Sequence, residues 1–177
     1  KQLMGKVAAI TGAGSGIGQA LAVELAKLGC EVAISDKNEA GLQETLQLVQ
    51  SVGVKSTANV LDVADRDAVY AWADKVVADH GRVNLIFNNA GVALSETVES
   101  MGYENFEWLM NINFWGVVYG TKAFLPYLKQ AEEGHVINIS SVFGMIGVPT
   151  QSAYNAAKFA VRGFTESLRE EMEIEGA

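Results

Sequence analysis

Cysteine, proline and histidine are nearly missing from this chain, with one Cys, two Pro and two His among 177 residues. Cys30 alone cannot close an internal disulfide, and with only His80 and His135 beside it a Cys/His metal site lacks donors. Cys30 is therefore expected to be a small packed residue at a strand entrance, and a reducing, cytoplasmic setting suits it. Basic residues are outnumbered, 13 Lys and Arg against 21 Asp and Glu, for a formal net charge of −8. That balance argues against nucleic acid or an anionic membrane as partner, since either would want a basic stripe. No run approaches the roughly 18 uncharged apolar residues of a membrane span. Lys1 to Gly5 carry no apolar signal-peptide core, and Ala9 stands where a myristoylation motif at Met4-Gly5 needs Ser or Thr.

What is present is the makeup of an ordinary globule, 49% hydrophobic and 19% charged, which gives one domain over residues 1–177 enough material for a core. Short β-branched runs alternate with longer helical periods. Lys6–Thr11, Glu31–Ser35, Val54–Val60, Val83–Phe87 and His135–Ile139 read as strands. Ile17–Leu28, Glu39–Val52, Asp65–His80, Tyr103–Gln130 and Ser152–Ile174 read as helices. The first helix is expected to bury Ile17, Leu21, Leu25 and Leu28, and the second Leu42, Leu46 and Val49. Repeated strand–helix alternation implies a doubly wound α/β fold, a parallel sheet in three α/β/α layers. Ligands of such sheets bind beyond the carboxyl ends of the strands, where the polar and glycine-rich residues of this chain collect.

After the first strand stands Thr11-Gly12-Ala13-Gly14-Ser15-Gly16-Ile17-Gly18, opening directly into a helix. Glycines there allow a tight turn and let backbone amides approach a pyrophosphate at the positive end of the helix dipole. The spacing is neither G-x-G-x-x-G nor a P-loop. A purely structural strand-to-helix turn is the other reading of these glycines. Asp36 ends the second strand, where a carboxylate can accept both hydroxyls of an adenosine ribose and repel a 2′-phosphate. NAD is therefore favoured over NADP, although the neighbouring Lys37 could meet a phosphate instead. Asp36 could alternatively cap the following helix.

These residues resemble the classical short-chain dehydrogenase/reductase family, whose cofactor signature is T-G-x-x-x-G-x-G. Asn88-Asn89-Ala90-Gly91 is similar to its N-N-A-G segment, and Asp62 sits at its adenine contact. Asn113, Ser141, Tyr154 and Lys158 match its catalytic tetrad, Ser141 lying thirteen residues before Tyr154. The resemblance runs along essentially the whole chain. It implies a Rossmann-type nucleotide domain with a cofactor held by Gly12, Ser15, Gly16, Ile17, Gly18, Asp36, Asp62, Val63, Asn89, Ala90, Gly91, Tyr154 and Lys158. It implies no metal.

Tyr154 and Lys158 are four residues apart, so they share one helix face. A phenol is a poor base at neutral pH, and a neighbouring ammonium favours its ionised form. Tyr154 is then the acid–base, Ser141 a donor to the substrate oxygen, and Lys158 the group that tunes Tyr154 and, by resemblance, holds the nicotinamide ribose. Asn113 would position a water joining Lys158 to solvent, or merely cap helix backbone. The substrate is expected to be an alcohol or ketone, and the apolar Val142, Phe143, Met145, Ile146 and Val148 point to a secondary one of low polarity. A non-catalytic NAD-binding module, or a truncated inactive homologue, is the alternative.

Phe106, Trp108, Phe114, Trp115, Phe124 and Tyr127 crowd more than one face of the fourth helix, which would leave apolar surface bare on a monomer. Ala153, Ala156, Ala157 and Ala160 thin one side of the helix Ser152–Ile174, and in the family the equivalents of these two helices build a dimer interface, which implies a homodimer or homotetramer. Members of the family usually continue past the point where this sequence stops, through further strands and a substrate lid. A sheet ending on its fifth strand would leave an apolar edge, so the expectation is that the sequence is part of a longer protein.

Overall fold

The computed structural model describes residues 3–175. Five strands form one parallel sheet in the order β3-β2-β1-β4-β5, with β1 Val7–Thr11, β2 Glu31–Asp36, β3 Ser56–Val60, β4 Leu85–Asn88 and β5 His135–Asn138. The helices are α1 Gly16–Lys27, α2 Glu39–Gln50, α3 Arg66–His80, α4 Tyr103–Met110, α5 Gly116–Gln130 and α6 Ser152–Glu175. This is the doubly wound, Rossmann-type class expected from the alternation.

Both faces of β1 are covered, which is why it is apolar without alternation. Side chains still alternate in direction. Val7, Ala9, Ala33 and Ile86 pack with Val69, Trp72 and Val76 of α3 and Phe124 and Leu128 of α5. Ala8, Ile10, Val32, Ile34, Leu85 and Phe87 pack with Ala22 and Leu25 of α1 and Leu42 and Val49 of α2. A third cluster, Leu109 with Ala153 and Ala157, joins α4 to α6. Asn38 caps α2 by accepting from the Gly41 amide at 3.3 Å, and Asp65 caps α3 by accepting from Ala68 at 3.0 Å. Among the described residues no helix is long and apolar enough to cross a membrane.

Three local expectations are corrected. The pattern over Tyr103–Gln130 is not one regular helix, because a π turn, Asn111–Trp115, interrupts it between α4 and α5. Strands β3 and β4 start two residues later than the apolar runs suggested, at Ser56 and Leu85, because pairing with the neighbour sets a strand end. The buried face of α1 is Gly18, Ala22, Leu25 and Ala26, whereas Ile17 is 65% and Leu28 55% exposed. The reason is close approach: a Cβ at Gly18 would lie 2.1 Å from the Gly12 carbonyl oxygen. Small residues therefore make the contact, and Ile17 turns outward.

Candidate active site

Past the carboxyl ends of the strands lies a cleft of about 400 Å³ lined by Gly12, Ser15, Gly16, Ile17, Asp36, Asp62, Val63, Asn89, Ala90 and Gly91, among others. Gly18 stands behind this wall rather than in it. Gly12 has φ +65°, and a Cβ there would meet Ala90 Cα at 2.7 Å, so the turn requires glycine twice over. Polar bonds lock the turn to the segment after β4. Thr11 Oγ1 accepts from the amides of Asn89 and Ala90 at 3.0 and 3.1 Å. Asn89 Nδ2 donates to the carbonyls of Thr11 and Gly12, each at 3.1 Å. Ser15 precedes α1 without a side-chain cap, and no acidic residue occupies the first turn. The first amides of α1 thus face the cleft as a natural anion site.

Asp36 does not cap α2, since that role falls to Asn38. Its Oδ2 accepts from the Gly14 amide and its Oδ1 from the Asn38 amide, both at 2.8 Å. A carboxylate offers about four lone-pair positions, so roughly two remain for a ligand. Lys37 turns aside to Asp62, its Nζ 2.6 Å from Oδ2. That lysine, aided by the Ala64 amide and opposed by partial burial, holds the Asp62 carboxyl below the usual carboxylate range.

The second half of the site lies beyond β5. Ser141 caps a short 3₁₀ turn, its Oγ accepting from the Phe143 amide at 3.2 Å, which leaves the hydroxyl proton free to donate. Tyr154 and Lys158 lie one turn apart in α6, and Lys158 Nζ sits 5.6 Å from the centre of the Tyr154 ring. Lys158 is only 4% exposed, donates to the Ile139 carbonyl at 2.9 Å, and is pushed to a lower pKa by burial. The Ile139 amide in turn donates to the Asn88 carbonyl at 3.1 Å, which ties Lys158 to the end of β4 next to Asn89, although Tyr154 and Lys158 do not themselves line the cleft. Asn113 lies buried in the π turn, where such turns often mark functional positions. Its Oδ1 accepts from the Val92 amide at 2.8 Å and its Nδ2 donates to the Val92 carbonyl at 2.7 Å. The side chain therefore binds the loop after β4 rather than capping its own helix.

Two further residues shape the site. Asn155, next to Tyr154, donates to the carbonyls of Phe143 and Ile146 at 2.6 and 2.7 Å and accepts from the Val148 amide at 3.0 Å. Thr150, at φ +65°, is the one non-glycine residue with positive φ among the described residues. Its carbonyl accepts from the Glu96 amide at 2.9 Å, and its hydroxyl pairs with Ser95 at 3.0 Å. The chain between Ser141 and Tyr154 is thus tied from both sides. Reasoning from sequence passed over both, because their partners are mostly backbone groups of distant segments; the one available signal was an amide side chain beside the tyrosine.

The short chain dehydrogenase family profile matches residues 6–176. SadH of Mycobacterium tuberculosis is 54% identical over 168 residues, covering 95% of this chain and 61% of that protein. Human estradiol 17-beta-dehydrogenase 11 is 36% identical over 172 residues, covering 97% of this chain and 57% of that one. The chain therefore spans about three fifths of the length of these relatives. A short-chain dehydrogenase/reductase from Burkholderia phymatum, solved in complex with NAD, superposes with a TM-score of 0.97 at 35% identity over 100% of this chain and 63% of its own. NAD+-bound xylitol dehydrogenase superposes at 0.94 with 32% identity, over 98% of this chain and 67% of its own. With sequence match and sheet order in agreement, the chain belongs to the short-chain dehydrogenase/reductase family of oxidoreductases.

Proposed function

We propose that the protein transfers a hydride between NAD(H) and an alcohol–ketone pair. The observation that carries this reading is the buried Lys158 ammonium over the Tyr154 ring, beside the glycine-walled cleft. The cleft suits a dinucleotide: Gly12 and Gly18 leave no room for a side chain, the uncapped start of α1 suits a pyrophosphate, and Asp36 keeps acceptor positions for ribose hydroxyls. The NAD complexes of the Burkholderia relative and of xylitol dehydrogenase support the same cofactor. Asp36 favours NAD over NADP.

When bound, the nicotinamide supplies the hydride acceptor or donor. Tyr154 takes the hydroxyl proton of the alcohol, or returns it to the reduced carbonyl oxygen. Lys158 stands beside the phenol ring on the same helix face, and Ser141 donates a hydrogen bond to the substrate oxygen as its charge develops. Asn113 holds the loop at Val92 and serves the water path from Lys158 to solvent. Val142, Met145 and Ile146 are 61%, 62% and 54% exposed after Ser141, which favours a weakly polar secondary alcohol or ketone. Exposed Trp108 and Trp115 favour a homo-oligomer, and the buried thiol of Cys30 suits the reducing cytoplasm.

The test is turnover of a panel of apolar secondary alcohols with NAD, with Tyr154→Phe in parallel. Loss of the phenol should lower kcat by about 10² to 10⁴ while NADH binding persists. A variant as active as the parent would sink the assignment of Tyr154.

A further inference from the structure

Lys37 is the one cation among the described residues lining the cleft, and it lies beside the carboxylate proposed to receive the adenosine ribose. Left alone, an ammonium there would attract the dianionic 2′-phosphate of NADPH and offset the repulsion from Asp36. The structure shows it engaged elsewhere, 2.6 Å from Asp62 Oδ2. Asp62 is anchored in turn, because its Oδ1 accepts from the Ala64 amide at 3.0 Å. Asp36 accepts from the Gly14 and Asn38 amides, so the two carboxylates have separate work.

Resting on the dinucleotide reading above, we infer that Asp62 is a specificity-determining residue: by pairing with Lys37 it withholds that cation from a 2′-phosphate and disfavours NADPH. The role differs from any contact between Asp62 and adenine, which NADH and NADPH would share. A 2′-phosphate must draw Lys37 off Asp62 before gaining its attraction, whereas ribose hydroxyls at Asp36 make no such demand. The pair is solvated, with side chains 73% and 37% exposed, so its effect is modest and weakens with salt.

The experiment is a fluorescence titration of the protein with NADH and with NADPH, comparing the parent, Asp62→Asn, Lys37→Gln and the double variant. Reading the ratio of the two affinities cancels any effect on adenine, and asparagine keeps the shape of Asp62. Asp62→Asn should shift the ratio toward NADPH by about fivefold, equivalent to about 1 kcal/mol. Lys37→Gln alone should move it less than about twofold, yet erase the gain in the double variant. A ratio unmoved by Asp62→Asn overturns the inference, as does a Lys37→Gln effect of equal size in both backgrounds, because Lys37 would then already be free. Absence of binding by either nucleotide to the parent would instead remove the dinucleotide reading and this inference with it.

Discussion

Only 4% of Lys158 is exposed, and burial draws its pKa below the ordinary 10.5. A lysine with a lowered folded value binds fewer protons in the folded than in the unfolded chain between those two values. Stability therefore rises with pH across that window, after a constant penalty below it and none above 10.5. Lys158→Met lacks this term. Urea unfolding of both proteins at pH values of about 8 and 10 should show the parent gaining on the variant at the higher pH; an unchanged difference would refute the buried cation. The i, i+4 spacing of Tyr154 and Lys158 is legible in sequence because helix geometry alone puts them on one face. That Lys158 is buried, and that it bonds the carbonyl of Ile139, depends on the residue just past β5, 19 positions away.

At the scale of elements, α6 does more than carry Tyr154, since through Asn155 it holds the segment 143–148 that follows Ser141. Asn155→Ala would strip partners from two carbonyls and one amide, and should cost about 2 to 3 kcal/mol in urea unfolding. Asn155→Asp should restore little, because a carboxylate cannot donate to the carbonyls of Phe143 and Ile146. Equal stability of parent and Asn155→Ala would show that the segment holds itself. The position of this helix was legible, and so was the stripe of α2, where Leu42 and Val49 are buried as spaced. The phase of α1 was not. Its apolar period pointed to Ile17 and Leu28, but the close approach at Gly18 put the smallest residues inward. Nor could a smooth apolar period over Tyr103–Gln130 reveal a π turn at Asn113.

At the scale of the molecule, the exposed aromatics form the feature a lone chain would least favour. Trp108 and Trp115 are each 43% exposed and Phe159 44%, with Trp115 stacked on Tyr119 at 5.8 Å. A homo-oligomer joined through α4, the π turn after it and α6 would cover them. Trp115→Glu should then yield a smaller species by light scattering at micromolar concentration; a parent that is already monomeric there would contradict the expectation. The β4–β5 side of the sheet is held by polar as well as apolar contacts. Asn88 Nδ2 donates to Asn138 Oδ1 at 2.8 Å and to Thr121 at 3.1 Å, and Asn138 Nδ2 donates to Thr165 at 2.9 Å, tying β4, β5, α5 and α6 together.

The amino-acid sequence alone determined the class of fold, the glycine turn between β1 and α1, the acid ending β2 and the Tyr154–Lys158 pair. Each is a matter of period or spacing within a few residues, where covalent geometry and steric limits decide the outcome. Tertiary structure alone decided that Lys37 meets Asp62, that Asn113 holds Val92, that Asn155 binds the segment after Ser141 and that Ile17 faces outward. Those outcomes join segments well apart in the chain, often through backbone amides and carbonyls common to every residue type. Only the assembled sheet brings such partners within bonding distance.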